Sequence, residues 1–167
     1  MDKISKTQRS ANMRAVRGKH TSPELAVRKA AHRLGLRFRL HHKDLPGKPD
    51  LVFSKWRTVV FVNGCFWHGH DGCRKAKLPS SNTKFWRTKL SGNVERDHRN
   101  YRKLTDLGWH VEVIWQCDIP DAAAAAAALD RIPSLGAGRR RKQSGPLPLA
   151  VRTIKHEAEH PSRDPRR

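Results

Sequence analysis

Five side chains able to bind metals or move protons crowd one stretch of this chain: Asp50, Cys65, His68, His70 and Cys73. Cys117 lies 44 residues beyond Cys73. Cys65-x4-His70-x2-Cys73 places three soft ligands on one loop, and Cys117 completes a three-thiolate, one-imidazole set of the kind that closes a tetrahedral zinc site. The set uses every cysteine in the chain. The plain alternative is three unrelated thiols. Asp50 opens an apolar run and suits Mg²⁺, which takes few protein ligands and keeps oxygens from water and substrate for the rest. It also suits a simple turn after Pro49. His68 sits between two zinc-ligand candidates and is not needed for a four-ligand set. An imidazole titrating near neutral pH fits proton abstraction from water, and equally a surface histidine in a glycine-rich loop. Asp97 could orient that imidazole, or be one charge among Glu95, Arg96, His98 and Arg99 on a helix surface. Glu24 is open in the same way, as a supporting acid or a first-turn helix acid. Phe66 and Trp67 are adjacent aromatics between polar residues. Neighbours in an extended or looped segment rarely both point inward, so stacking on a ligand competes with core packing for them, and for Trp86.

The elements that must position these groups follow from periodicity and punctuation. Pro49 leads into a strand over Asp50–Phe53, Ser54-Lys55-Trp56 makes a turn, and Thr58–Val62 is a second strand. Both strands are continuously apolar, as strands buried on two faces are. Ser22-Pro23-Glu24 reads as a helix start with Ser22 as cap. Leu25, Ala26, Ala30 and Leu34 keep helical spacing, and Gly35 ends the run. Leu36–Leu40 alternates and predicts a strand. Asn82–Leu90 predicts a short helix, and Asn93–Leu107 a longer one closed by Gly108. Trp109–Trp115 predicts a strand leading directly to Cys117. Asp121 caps a run of seven alanines ending in Leu129, a helix by propensity. Helix, three strands, helix, strand, helix is a mixed α/β sheet flanked by helices, with the long helix as a crossover.

The chain has 167 residues, 37% of them hydrophobic, which supports one core. Thirty-five Lys/Arg against 15 acids give a formal charge of +20. Self-repulsion on that scale opposes folding, so the charge points to a polyanionic partner. No apolar run approaches the ~18 residues of a spanning helix, and Met1-Asp2-Lys3 leads into polar sequence. The expectation is a cytoplasmic chain acting on nucleic acid. An odd cysteine count there argues against a disulfide framework. Residues 1–20 predict a basic arm that orders on DNA through Arg9, Arg14 and Arg17, or a frayed terminus. Residues 21–131 predict the folded domain. Residues 132–167 predict a disordered basic tail; from Pro133 onward it holds nine Lys/Arg and three acids.

Four blocks taken together carry a resemblance: Ser10-Ala11-Asn12-Met13-Arg14, Pro46-Gly47-Lys48-Pro49-Asp50, Asn63-Gly64-Cys65-Phe66-Trp67-His68-Gly69-His70 and Asn93-Val94-Glu95-Arg96-Asp97. In order, over about residues 5–118, they resemble the very-short-patch-repair (Vsr) mismatch endonucleases. The resemblance implies a restriction-endonuclease-like fold and an enzyme that nicks DNA 5′ of the mispaired T in T·G mismatches left by 5-methylcytosine deamination. It implies Asp50 and the backbone carbonyl of Val62 as Mg²⁺ ligands, His68 as base, and Glu24 and Asp97 as supporting acids. Cys65, His70, Cys73 and Cys117 become the structural zinc ligands, and Phe66, Trp67 and Trp86 the wedge beside the mismatch. Asn12 joins Arg9, Arg14 and Arg17 as arm contacts. A monomer acting on mismatched double-stranded DNA, with a MutL-type repair protein as a further partner, completes the expectation. Asn63 stands where some members carry histidine, and Asp71-Gly72 lengthens the zinc loop by one residue relative to some members. Two rivals remain: a restriction-type nuclease cutting both strands, and a non-catalytic zinc-containing DNA-binding module.

Overall fold

The central strand of the sheet, Thr58–Asn63, is buried at every residue. In this computed structural model, which describes residues 5, 7, 8, 11, 20–40 and 42–136, that strand (β2) pairs antiparallel with β1 (Leu51–Phe53) on one side. On the other side it pairs parallel with β3 (His110–Trp115). Alternate residues of β2 face opposite layers, as the pleat requires. Val60 and Val62 join Leu51, Phe53 and Ile114 in a core covered by α1 (Ser22–Arg33), α3 (Ala122–Asp130) and a short α4 (Pro133–Gly136). Val59 and Phe61 join Val52, Leu45 and Leu104 on the other face, under α2 (Thr83–Asp106). The continuous Val/Phe run follows from this double burial. The parallel β2–β3 pair needs a crossover, and α2 supplies it.

Several local expectations shift. Leu36–Leu40 does not form a strand: only Arg39 pairs, through two 2.9 Å backbone hydrogen bonds with Val52. A three-residue β1 offers little ladder, so this segment is held instead by side chains, with Leu36 buried and Phe38 edge-on to Phe53. The two predicted helices over residues 82–107 are one, running without a break through Ser91-Gly92. A glycine inside a helix costs about 1 kcal/mol, and packing on both sides outweighs it: Leu90 and Leu104 are buried. The N-cap of α1 is Thr21 rather than Ser22, and its hydroxyl donates to Glu24 Oε1 at 2.9 Å instead of capping the backbone. Asp121 does cap α3, accepting from the Ala124 N–H at 2.8 Å. The packed unit continues past residue 131, because Ile132 and Leu135 are both buried in the core. The tail boundary expected at residue 132 is therefore four residues too early for the packing. Residues 137–167 lie outside the described residues, as do the arm residues Arg9, Asn12, Arg14 and Arg17.

Candidate active site and metal centre

Asp50 precedes β1, next to the fully buried Pro49. Its Oδ2 accepts from the Val62 backbone N–H at 2.7 Å, and its own N–H donates to the Val60 carbonyl at 3.0 Å. Residues 60 and 62 therefore turn their peptide groups toward the β1 edge, and the Val62 carbonyl shares that edge with its N–H. Burial pushes the Asp50 carboxyl up to about 6, against the lowering effect of the Val62 hydrogen bond, and the negative charge of Glu24 adds to the rise. Arg28 and His68 are near enough to pull the other way. Such a carboxylate is under-compensated for its charge, which is the condition a bound cation relieves.

Glu24 and Arg28 form a buried i,i+4 pair on α1, at 3.0 Å. Glu24 also accepts from the His20 N–H at 2.9 Å, and the second Arg28 guanidinium nitrogen meets His20 Nδ1 at 2.8 Å. Arg28 was not anticipated, although its spacing from Glu24 is the ordinary helical one.

His68 lies on the turn following β2, where its N–H donates to the Gly64 carbonyl at 3.1 Å. Its Nδ1 donates to Asp97 Oδ2 at 2.5 Å. Asp97 projects from the middle of α2, and its other oxygen accepts from Arg96 at 3.1 Å. Burial alone would raise the Asp97 carboxyl, but the hydrogen bond and charge of His68, with Arg96 behind them, hold it below its usual range. An ionised carboxylate on Nδ1 fixes the ring's tautomer and leaves Nε2 as the proton-accepting nitrogen. One turn from Asp97, Asn93 donates to the Trp67 carbonyl at 3.0 Å. Gly69, with φ +61°, lies so close to Val94 that a Cβ would sit 2.9 Å from its methyl. The loop and the helix are thus fitted to each other beside the histidine.

Asn63 is buried and donates to the Tyr101 hydroxyl at 3.0 Å. Tyr101 also packs its ring on Phe61, with centroids 4.9 Å apart.

The ligand atoms of Cys65, His70, Cys73 and Cys117 all lie within 4.8 Å of one another. A zinc tetrahedron with ~2.3 Å sulfur arms has edges of ~3.8 Å, so the donor set and its spacing fit a single ion. Cys117 reaches the cluster because β3 runs parallel to β2 and both strands end at the same edge. Its Sγ is 3.3 Å from His70 Nδ1, and the His70 ring stacks on Trp115 at 4.2 Å. Asp71 and Gly72 lie in an exposed turn, with Gly72 at φ +63°.

Phe66, Trp67 and Trp86 form one half-buried aromatic cluster, with centroid separations of 5.1, 5.3 and 6.0 Å. Phe85, not anticipated as a member, extends it at 5.2 Å from Trp86 and is 60% exposed. A cluster that leaves so much aromatic surface in water is set apart from the two cores described above.

The first 75 residues match the family model described as DNA mismatch endonuclease Vsr. The chain is 50% identical over 131 residues to a type II nicking enzyme of Xanthomonas oryzae, V.XorIIP, covering 78% of this chain and 96% of that protein. It is 42% identical over 131 residues to the type II nicking enzyme V.NmeAIP of Neisseria meningitidis, covering 78% and 93%. It is also 42% identical over 116 residues to the DNA mismatch endonuclease Vsr of Escherichia coli, covering 70% and 74%.

Proposed function

This chain belongs to the Vsr family of DNA mismatch endonucleases, and on that premise we propose that it nicks one strand of duplex DNA 5′ of the T in a T·G mismatch. The observation that carries the reading is the His68–Asp97 pair beside the half-buried, under-compensated Asp50. A DNA-binding module has no use for that grouping. His68, with Nδ1 committed to Asp97, takes the proton of the attacking water at Nε2. General-base assistance of this kind is worth on the order of 10²–10⁴-fold.

Asp50 and the Val62 carbonyl would hold Mg²⁺. When bound, the ion supplies positive charge to the attacking and leaving oxygens of the phosphate. Glu24 is a supporting acid, held in place on α1 by its buried pair with Arg28. Cys65, His70, Cys73 and Cys117 would hold zinc as a closed structural site that ties the His68 loop to the end of β3. Phe66, Trp67 and Trp86 would stack beside the mismatch. The basic arm, through Arg9, Asn12, Arg14 and Arg17, and the basic tail would add contacts to the phosphate backbone. The mixed sheet with helices on both faces agrees with a restriction-endonuclease-like fold, and the substrate is that of a monomer acting ahead of a repair system that can include a MutL-type protein.

The test is a nicking assay with Mg²⁺ on duplexes carrying T·G or T·A at one position, across a panel of flanking sequences. Single-strand cleavage 5′ of the T, confined to T·G duplexes in a subset of flanks, is the expected result. Equal cutting of both strands of matched DNA, or no cleavage of any duplex, overturns it.

A further inference from the structure

Tyr101 is the chain's single tyrosine, and its apolar ring accounts for only part of its placement. The ring packs, half-buried, against the core at Phe61. The hydroxyl lies at the end of a hydrogen bond from Asn63, which is itself buried at the end of β2, next to Val62. That bond occupies the phenol oxygen as an acceptor and leaves its proton to donate elsewhere; among the described residues no protein acceptor takes it. The surroundings are acidic. Asp97 lies one helical turn before Tyr101 on the same face of α2, and Asn63 follows Val62, whose N–H holds Asp50. Burial first, then the charges of Asp97 and Asp50, push the phenol up to about 12.

A phosphate entering this site meets three carboxylates and few donors. The two terminal nitrogens of Arg28 are engaged by Glu24 and His20, and its Nε, without a partner, is buried away from the surface. Arg96 is engaged by Asn93 and Asp97, and His68 Nδ1 by Asp97. We propose that the phenol of Tyr101, held in place by Asn63, is a further catalytic group: a neutral donor to a non-bridging oxygen of the phosphate being cut. It would not transfer its proton. It would offer a fixed dipole where negative charge grows in the transition state. Asn63 is then its positioning residue.

This inference rests on the nuclease reading, and the experiment separates the two. Tyr101→Phe keeps the ring packing and deletes the hydroxyl alone. Single-turnover nicking of a T·G duplex is expected to fall about tenfold to a hundredfold, the range for losing one hydrogen bond to a charged group. The dissociation constant measured without divalent metal should stay within about twofold, as should the melting temperature within a few degrees. Asn63→Ala should reduce nicking, and adding it to Tyr101→Phe should reduce it little further. Because there is one tyrosine, biosynthetic 3-fluorotyrosine marks position 101 alone, and its single ¹⁹F resonance should move when T·G duplex is added without divalent metal. A Tyr101→Phe protein that nicks at the parent rate overturns the proposal, as does a resonance unmoved at saturating duplex. Failure of the parent protein to nick T·G DNA would instead remove the underlying nuclease reading.

Discussion

The two clusters on either side of the Gly64–Gly69 turn are built on opposite principles. The thiol–imidazole set is closed: four soft ligands, mutually within 4.8 Å, drawn from one loop and the end of β3. The carboxylate set is open. Asp50, Glu24 and Asp97 come from the edge of the sheet, from α1 and from α2, and Asp50 is left with more negative charge than its neighbours offset. A closed set can contribute to folding, since its ligands satisfy the ion completely. Within the open set Asp97 and Glu24 have partners in His68 and Arg28, while the raised Asp50 carboxyl destabilises the isolated chain once ionised, a cost a bound cation would relieve. On the proposed reading, the same few residues of backbone join a region built for stability to one built for chemistry, and substitutions should sort between stability and rate accordingly.

The largest effect should come from opening the closed set. Cys73→Ala removes one ligand of four and leaves three that cannot satisfy a structural ion. We expect loss of zinc and destabilisation above ~4 kcal/mol, the range for removing a metal site. Melting temperature and metal content, measured together, should fall together. A Cys73→Ala protein of parent stability, or a parent protein free of zinc and fully active, breaks the contrast.

Asp50→Asn should do the reverse. The amide oxygen can still accept from the Val62 N–H, so the fold survives, but a neutral ligand holds Mg²⁺ poorly. Nicking should fall by about a thousandfold or more, since metal assistance supplies several kcal/mol, with T·G binding retained. The stability sign follows from the acidity. The folded carboxyl titrates at about 6 against an ordinary 3.8, so the folded state binds the proton more tightly. Its contribution is present below about pH 4 and is lost as pH rises through 6. Metal-free parent protein should lose melting temperature across that window, and Asp50→Asn should lose less. Adding Mg²⁺ at pH 7 should stabilise the parent and not the variant. A variant that nicks normally places the active site elsewhere.

His68→Ala is expected to bind T·G DNA and nick about a hundredfold more slowly or worse, the low end of general-base assistance. Asp97→Asn should cost less. It leaves an acceptor near Nδ1 but removes the carboxylate that fixes the ring's tautomer, so nicking should fall while T·G binding holds. Asp97→Asn nicking at the parent rate with a lowered melting temperature would make Asp97 a packing residue.

How much of this was legible in the sequence depended on range. The Cys65, His70 and Cys73 spacing is local, and Cys117 followed from the strand that carries it, so the closed set could be assembled from topology. The open set depends on one long helix. Ser91-Gly92 read as a break, and with a break there Asp97 is one charge among several on a separate helix. With the helix continuous, Trp86, Leu90, Asn93, Asp97, Tyr101 and Leu104 share one stripe facing the sheet and the loop. Tertiary packing overrode the glycine's propensity, and no local signal reports that. Arg28 had a signal, its i,i+4 spacing from Glu24. The Asn63–Tyr101 bond had none, because the apolar spacing that placed the tyrosine ring says nothing about where its hydroxyl ends.

The smallest effect should come from the aromatic cluster, which belongs to neither set although it shares their loop. Trp67 lies between Cys65 and His68, yet its backbone is held independently by the Asn93 amide on its carbonyl. Its ring packs on Phe66 and Trp86 rather than in either core. Trp67→Ala should therefore leave zinc content intact and lower the melting temperature only modestly. What it should remove is a stacking surface worth roughly 1–3 kcal/mol per base. Affinity for T·G duplex should drop by that amount, and its margin over T·A duplex should narrow. Nicking at saturating DNA should change less than in His68→Ala, because the proton-transfer pair is untouched. The measurement is paired: mobility shift without divalent metal on both duplexes, and single-turnover nicking with Mg²⁺. If Trp67→Ala binds the two duplexes as the parent does and loses stability instead, the cluster is a third core, and mismatch recognition must reside in another part of the chain.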